Sequence, residues 1–216
     1  MLRLMPLGLP LLVPLLFATV EVTSLSLSPT DVQSGAASIA TVTLGATPTG
    51  RGVRVNLTSS NPSVATVPAS VTMTGPLNTR TFSVKSVQGA AGCTTVSAKA
   101  KTTTRTALLF VIPPTSISPV TLGLSKTSVA GGGSLTGRVV VAEPAAIGKV
   151  VQLTSSNPAV TVPASVTLGP NEIGVAEASF NIGTTVVAPS TCSVITATYQ
   201  GSKSSRKLLK VFTISG

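Results

Sequence analysis

Val55-Asn56-Leu57-Thr58-Ser59-Ser60-Asn61-Pro62 returns as Val151-Gln152-Leu153-Thr154-Ser155-Ser156-Asn157-Pro158. Each copy is followed by the same six residues, Val67-Pro68-Ala69-Ser70-Val71-Thr72 and Val162-Pro163-Ala164-Ser165-Val166-Thr167. Leu57 and Leu153 stand 96 positions apart, Pro68 and Pro163 stand 95 apart, and one residue was lost between the blocks. The chain holds two copies of one module. Within the phrase, Val53, Val55 and Leu57 alternate with Arg54, Asn56 and Thr58, and a period of two puts three apolar side chains on one face of a strand. Val151 and Leu153 keep that face in the second copy, so Leu57 and Leu153 are expected at matching places in two cores. Ser-Ser-Asn-Pro ends the strand, because proline pushes the preceding Asn out of the helical region and offers no N–H to a ladder. Val-Pro-Ala-Ser opens a new extended segment whose proline must face an edge or a turn.

Composition points the same way. A chain of 216 residues has room for two domains of about 100 residues. Only 9% of residues are charged and 3% aromatic, and no stretch sustains a 3.6-residue period, which marks a β-rich protein with small core residues. Sixteen Pro and 19 Gly supply turns for many short strands. An apolar content of 43% with persistent alternation argues against disorder.

Residues 1–21 differ from the rest. Arg3 precedes an apolar run from Leu7 to Val20, in the manner of an export signal. Pro6, Pro10 and Pro14 break a helix there but allow an extended strand able to dock on another chain's sheet edge. From Val22 the alternation predicts strands at 24–29, 39–44, 53–58, 64–67, 71–73, 81–84, 95–100 and 107–112. The second copy predicts them at 121–124, 135–141, 150–154, 160–162, 166–168, 176–182, 194–199 and 208–214. Seven or eight short strands per 100 residues is the count of a β-sandwich. Phe82 and Phe180 match as core markers, as do Val96 and Ile195, Ala98 and Ala197, and Leu109-x-Val111 and Leu209-x-Val211. The fold class is all-β, with two tandem Ig-like sandwiches over 22–113 and 114–216. Ile112-Pro113-Pro114-Thr115-Ser116 between them reads as a short, stiff, extended connector.

These phrases, together with Leu-Ser-Leu-Ser-Pro-Thr near the start, Thr-Phe-Ser-Val and a closing Arg-Thr-Ala-Leu-Leu-Phe-Val, resemble the tandem bacterial Ig-like repeats of secreted and cell-surface proteins. The resemblance covers both modules and not the N-terminal run. It implies an Ig-like sandwich and a role as spacer, stalk or adhesive module. The segment before the penultimate strand departs from the family's pattern by containing Cys93 or Cys192.

Little in the sequence suggests catalysis. With no His, Ser-His-Asp and Cys-His arrangements and imidazole metal sites are excluded. The five carboxylates, Glu21, Asp31, Glu143, Glu172 and Glu177, form no calcium-loop grouping, and Glu172 and Glu177 read as a loop and a strand face. Gly131-Gly132-Gly133 lacks a following helix and a Lys-Ser/Thr pair, and reads as a hairpin loop. Asn56-Leu57-Thr58 is a formal glycosylation sequon placed mid-strand. The sequence calls for no enzyme activity, cofactor, metal or specific small-molecule ligand.

Cys93 and Cys192 occupy equivalent places, one per module, so no bridge forms within a module. Joining them to each other would require the modules to fold back against the stiff connector. They are expected as small buried thiols or as an inter-chain bridge. A formal charge of +10 fits a solvated surface or an acidic partner. Lys203, Arg206, Lys207 and Lys210 form the one basic cluster, expected at one end or edge of module two as a candidate contact for anionic polysaccharide or nucleic acid. Stacking platforms are scarce, with no Trp and one Tyr. The leading expectation is a non-enzymatic, secreted or cell-surface structural or adhesive spacer, part of a larger surface protein. The alternatives are a homo-oligomeric filament or virion decoration subunit docking through its N-terminal strand, and a basic binding module.

Overall fold

A computed structural model describes residues 20–115, 118–201 and 203–214. The export-signal and docking-strand readings fall on a segment that, apart from Val20 and the residues after it, lies outside the described residues. Module one contains β1 (Val22–Ser28), β2 (Asp31–Gln33), β3 (Ala37–Leu44), β4 (Val53–Ser59), β5 (Ala65–Thr66), β6 (Ser70–Met73), β7 (Thr79–Ser86), β8 (Gly92–Ala100) and β9 (Thr103–Ile112). Module two contains β10 (Val120–Leu124), β11 (Ser128–Ala130), β12 (Ser134–Val141), β13 (Val150–Ser155), β14 (Val160–Thr161), β15 (Ser165–Thr167), β16 (Gly169–Pro170), β17 (Ala176–Thr184), β18 (Thr191–Tyr199) and β19 (Lys203–Phe212). One short 3-10 turn, Pro144–Ala146, lies between β12 and β13.

In module one the sheet β1-β3-β7-β5 packs on the sheet β2-β9-β8-β4-β6. Module two repeats this as β10-β12-β17-β14, with β16 also on β17, against β11-β19-β18-β13-β15. The first four-strand order and the β9-β8-β4 run are the ABED and GFC sheets of an immunoglobulin sandwich. The repeated phrase supplies β4 and β13, paired with β8 and β18 respectively, and its Val-Pro-Ala-Ser block leads into the edge strands β6 and β15. Three strands lie outside the expected ranges. One is β16, a two-residue pairing on β17. β2 and β11 are three residues long and pair in parallel with the last strand of their module. Pro29 sits where the chain leaves one sheet for the other, a place where a missing N–H costs no ladder bond.

Each module has its own core. Eighteen buried apolar residues cluster in module one and eighteen in module two, and neither cluster borrows from the other module. Leu57, Phe82, Leu153 and Phe180 are all buried in them. Leu57 faces the core beside Val55 while Arg54 and Asn56 face solvent, as the period of two requires.

The connector behaves differently from expectation. Two prolines fix φ at two residues but do not hold the modules apart. The seven residues between β9 and β10 reach at most about 23 Å, enough for the chain to turn. Module two lies back against module one, and Phe110, Cys192, Val194 and Leu208 are buried where they meet.

Candidate functional site

The contact is made by the outward faces of the last two strands of each module. Along β8, Thr94, Val96, Ala98 and Ala100 point into the sandwich, which leaves Cys93, Thr95 and Ser97 pointing out. On β9, Leu109 and Val111 face in, and Leu108, Phe110 and Ile112 face out. β18 and β19 repeat this, with Cys192, Val194 and Leu208 outward yet buried. Outward residues are buried because the faces cover each other. Phe110, Cys192, Val194 and Leu208 form a third apolar cluster, with Ala91, Cys93, Leu108 and Ile112 packed against it.

At its centre Cys93 and Cys192 are joined by a disulfide, with Cα atoms 6.1 Å apart. The expectation of free or inter-chain thiols is therefore corrected. The two sulfurs meet because equivalent strands lie face to face, and no cysteine in the chain is free. The sequence carried a signal for this. Ala107-Leu108-Leu109-Phe110-Val111-Ile112 is apolar at every position, and a strand apolar on both faces is covered on both. Leu208-Leu209-Lys210-Val211-Phe212 repeats it with one charge.

The repeated Ser-Ser-Asn-Pro corner braces the cysteine strands. Ser59 Oγ donates to Ala65 O at 2.7 Å and lies 2.8 Å from Thr94 Oγ1, next in sequence to Cys93. The Asn61 backbone N–H donates to the same hydroxyl at 3.0 Å. In module two, Asn157 Nδ2 donates to Thr191 Oγ1 at 3.0 Å and to the Cys192 carbonyl at 2.9 Å. Ser155 Oγ lies 2.8 Å from Ser193 Oγ. Thr94 and Ser193 are buried polar side chains satisfied by these contacts. The phrase that marks each module thus also pins the strand that carries its sulfur.

Polar contacts flank the disulfide. Lys210 Nζ pairs with Asp31 of module one and sits 4.6 Å from the centroid of the Phe110 ring. Arg206 donates to the Gly89 carbonyl at 3.4 Å. Phe212 meets Phe110 edge-on, ring centroids 6.4 Å apart. Beside them a cleft of about 450 Å³ runs between the modules, lined in part by Asp31, Ile112, Pro113, Leu122, Arg206 and Lys210.

The four clustered cations do not share one face. Arg206 and Lys210 turn towards module one, whereas Lys203 pairs with Glu143 and lies 5.8 Å from the centre of the Tyr199 ring. Lys207 is exposed. Among the described residues, only Arg206 and Lys207 of the four lack a carboxylate partner. Four of the five carboxylates, Glu21, Asp31, Glu143 and Glu177, are likewise in structural use. Glu177 pairs with Arg138 and accepts from Asn171 Nδ2, and these hydrogen bonds, the arginine's first, hold its carboxyl below the ordinary range. Glu21 is held low by hydrogen bonds from Thr103 and then Thr102. Gly131-Gly132-Gly133 forms the turn between β11 and β12, and a Cβ at Gly131 would meet the Thr185 carbonyl at 2.9 Å. Among the described residues no three His, Cys, Asp or Glu side chains gather as metal ligands, and no helix is long and apolar enough to cross a membrane.

Sheet order, paired cores and the repeated corner define two tandem Ig-like β-sandwiches joined through their outward faces. No protein-family model matches the chain, and no curated protein matches it in sequence. Among solved structures it is similar to the D0-D1 domain of intimin, at 18% identity over 90% of this chain and 100% of that one, with a TM-score of 0.38. It is also similar to domains 5-6 of the S-layer protein SbsC, at 19% identity over 90% and 99%, TM-score 0.33. The Yersinia pseudotuberculosis adhesin InvE matches at 13% identity over 90% of this chain and 61% of that one, TM-score 0.36. The likeness is one of fold only.

Proposed function

We propose that the chain is an exported, non-enzymatic structural module of the cell surface whose two sandwiches act as one covalently locked unit. The carrying observation is the Cys93–Cys192 bridge, formed between two independently cored modules. A bond of this kind persists in oxidising compartments and is rare in the cytosol. Absence of His and the structural employment of Glu21, Glu143, Glu177 and Asp31 support a role without catalysis. The folded-back arrangement changes the mechanical reading. A unit whose modules lie side by side resists bending and shear rather than holding a partner at the distance of two modules end to end.

The test is made on the protein in its own cells. Surface-accessible protein is blocked with a thiol reagent before and after reduction, and peptides containing Cys93 and Cys192 are then identified by mass. Recovery as one linked peptide pair on surface-exposed protein is expected. Recovery of both residues as free thiols, or only behind an intact membrane, would overturn the reading.

A further inference from the structure

The two faces are near copies, yet they differ where charge matters. Leu108 corresponds to Leu208 and Cys93 to Cys192, so like meets like at the centre. Asp31 lies opposite Phe110 in the β2–β9 ladder, and the equivalent pair in the β11–β19 ladder is Ser128 opposite Lys210. Face one therefore carries an acid and a ring where face two carries a hydroxyl and a cation. When face one meets face two, Lys210 finds both Asp31 and Phe110. Two copies of face two would set Lys210 against Lys210 without an acid, and two copies of face one would leave both Asp31 carboxylates without a cation. Like charges at a contact disfavour the wrong pairing. Each face is built for the other and against itself.

Nothing in that complementarity requires the two faces to belong to one chain. Each module has a complete core without the other, and a single short connector ties them. We propose that the inter-module face is an exchange site for a second copy of this chain. Module one of each copy docks on module two of the other, giving a reciprocal dimer with Cys93–Cys192 bonds between chains. Such swapping reuses existing contacts. No net oxidation is needed. A small thiolate attacks the intrachain disulfide, forming a mixed disulfide and releasing one cysteine thiolate. A cysteine thiolate of the second copy then attacks the mixed disulfide and frees the small thiol, and the second bond re-forms in the same way. The short connector gives the intrachain contact an effective concentration in the millimolar range. The monomer prevails in dilute solution, and exchange grows where copies are crowded.

Charge reversal tests this on the full chain. Asp31→Lys places two lysines across the intrachain contact, and Lys210→Asp places two carboxylates across it. In a dimer exchanged between the two variants, one contact joins the introduced lysine to the introduced aspartate, and the other is native. Both variants, one of them isotopically labelled, are mixed in a buffer of a small thiol and its disulfide, then alkylated and analysed by non-reducing gel and peptide mass. The mixture should give at least about tenfold more disulfide-linked dimer than either variant alone, with Cys93 of one chain bonded to Cys192 of the other. Calorimetry on each variant alone checks that both cores still melt cooperatively. A mixture that stays monomeric with intrachain bonds would overturn exchange and leave the locked unit standing. Dimers formed equally by like and unlike variants, or through Cys93–Cys93 bonds, would also overturn it.

Discussion

Replacing both cysteines should destabilise the two modules unequally. In the intact protein, an unfolded module two is still held to folded module one at the connector and at Cys93. That closes a loop of roughly 80 residues, worth about 4.5 kcal/mol of lost chain entropy. When module one unfolds instead, the segment from Cys93 to the start of β10 closes a loop of roughly 25 residues, worth about 3.5 kcal/mol. At about 4 °C or more per kcal/mol for a domain of this size, Cys93→Ser/Cys192→Ser should lower the melting of module one by roughly 15 °C. Module two should fall by a few degrees more. Differential scanning calorimetry resolves the two transitions, and Leu57→Ala in each background shows which belongs to module one. A double variant that melts like the parent, or one in which module one loses more than module two, would refute the reasoning.

Leu57→Ala or Leu153→Ala should cost its own module about 2–5 kcal/mol by leaving a core cavity, whereas exposed Arg54→Ala should cost less than about 0.5 kcal/mol; urea titration reads both. Gly52→Ala should destabilise module one, because φ there is +82° and a Cβ would stand 2.4 Å from the Met73 carbonyl oxygen; its urea midpoint should fall below that of Gly75→Ala, where a Cβ meets nothing within 4 Å. Glu177 has a lowered folded-state pKa, so its contribution is present above the ordinary value of 4.5 and is lost as pH falls through the folded value. Glu177→Gln should therefore flatten part of the acid limb of module two's melting temperature and leave the limb of module one unchanged. Heparin retention should be no stronger than that of a charge-matched control, since Lys203 and Lys210 are already ion-paired; retention that falls steeply with salt and is abolished by Arg206→Gln/Lys207→Gln would instead support a polyanion contact.

The sandwich was legible because alternation is a local signal. Val53-x-Val55-x-Leu57 declares its inward face without knowledge of any other strand, and Asn61-Pro62 declares the corner. Short parallel strands escaped, since Asp31-Val32-Gln33 is three residues long and gains its identity only from β9 across the sheet. The contact between modules escaped for another reason. Outward burial of Phe110 and Leu208 is a property of two surfaces meeting, and a proline-rich connector argues against that meeting. Proline stiffens a residue without choosing where the chain goes next. The all-apolar run Ala107 to Ile112 marks a strand covered on both faces, and the cysteine pairing follows only once the covering face is known.

A surface that packs against its own duplicate has a peculiar economy of change. At the centre of such a contact one residue type serves both sides, as Cys93 and Cys192 do. Away from the centre the two sides must differ to suit each other, as Asp31 and Lys210 do. Because each side has its own stretch of chain, a substitution there changes one side and not the other. The bridge therefore lies where the two halves are alike, and the ion pair beside it lies where they differ.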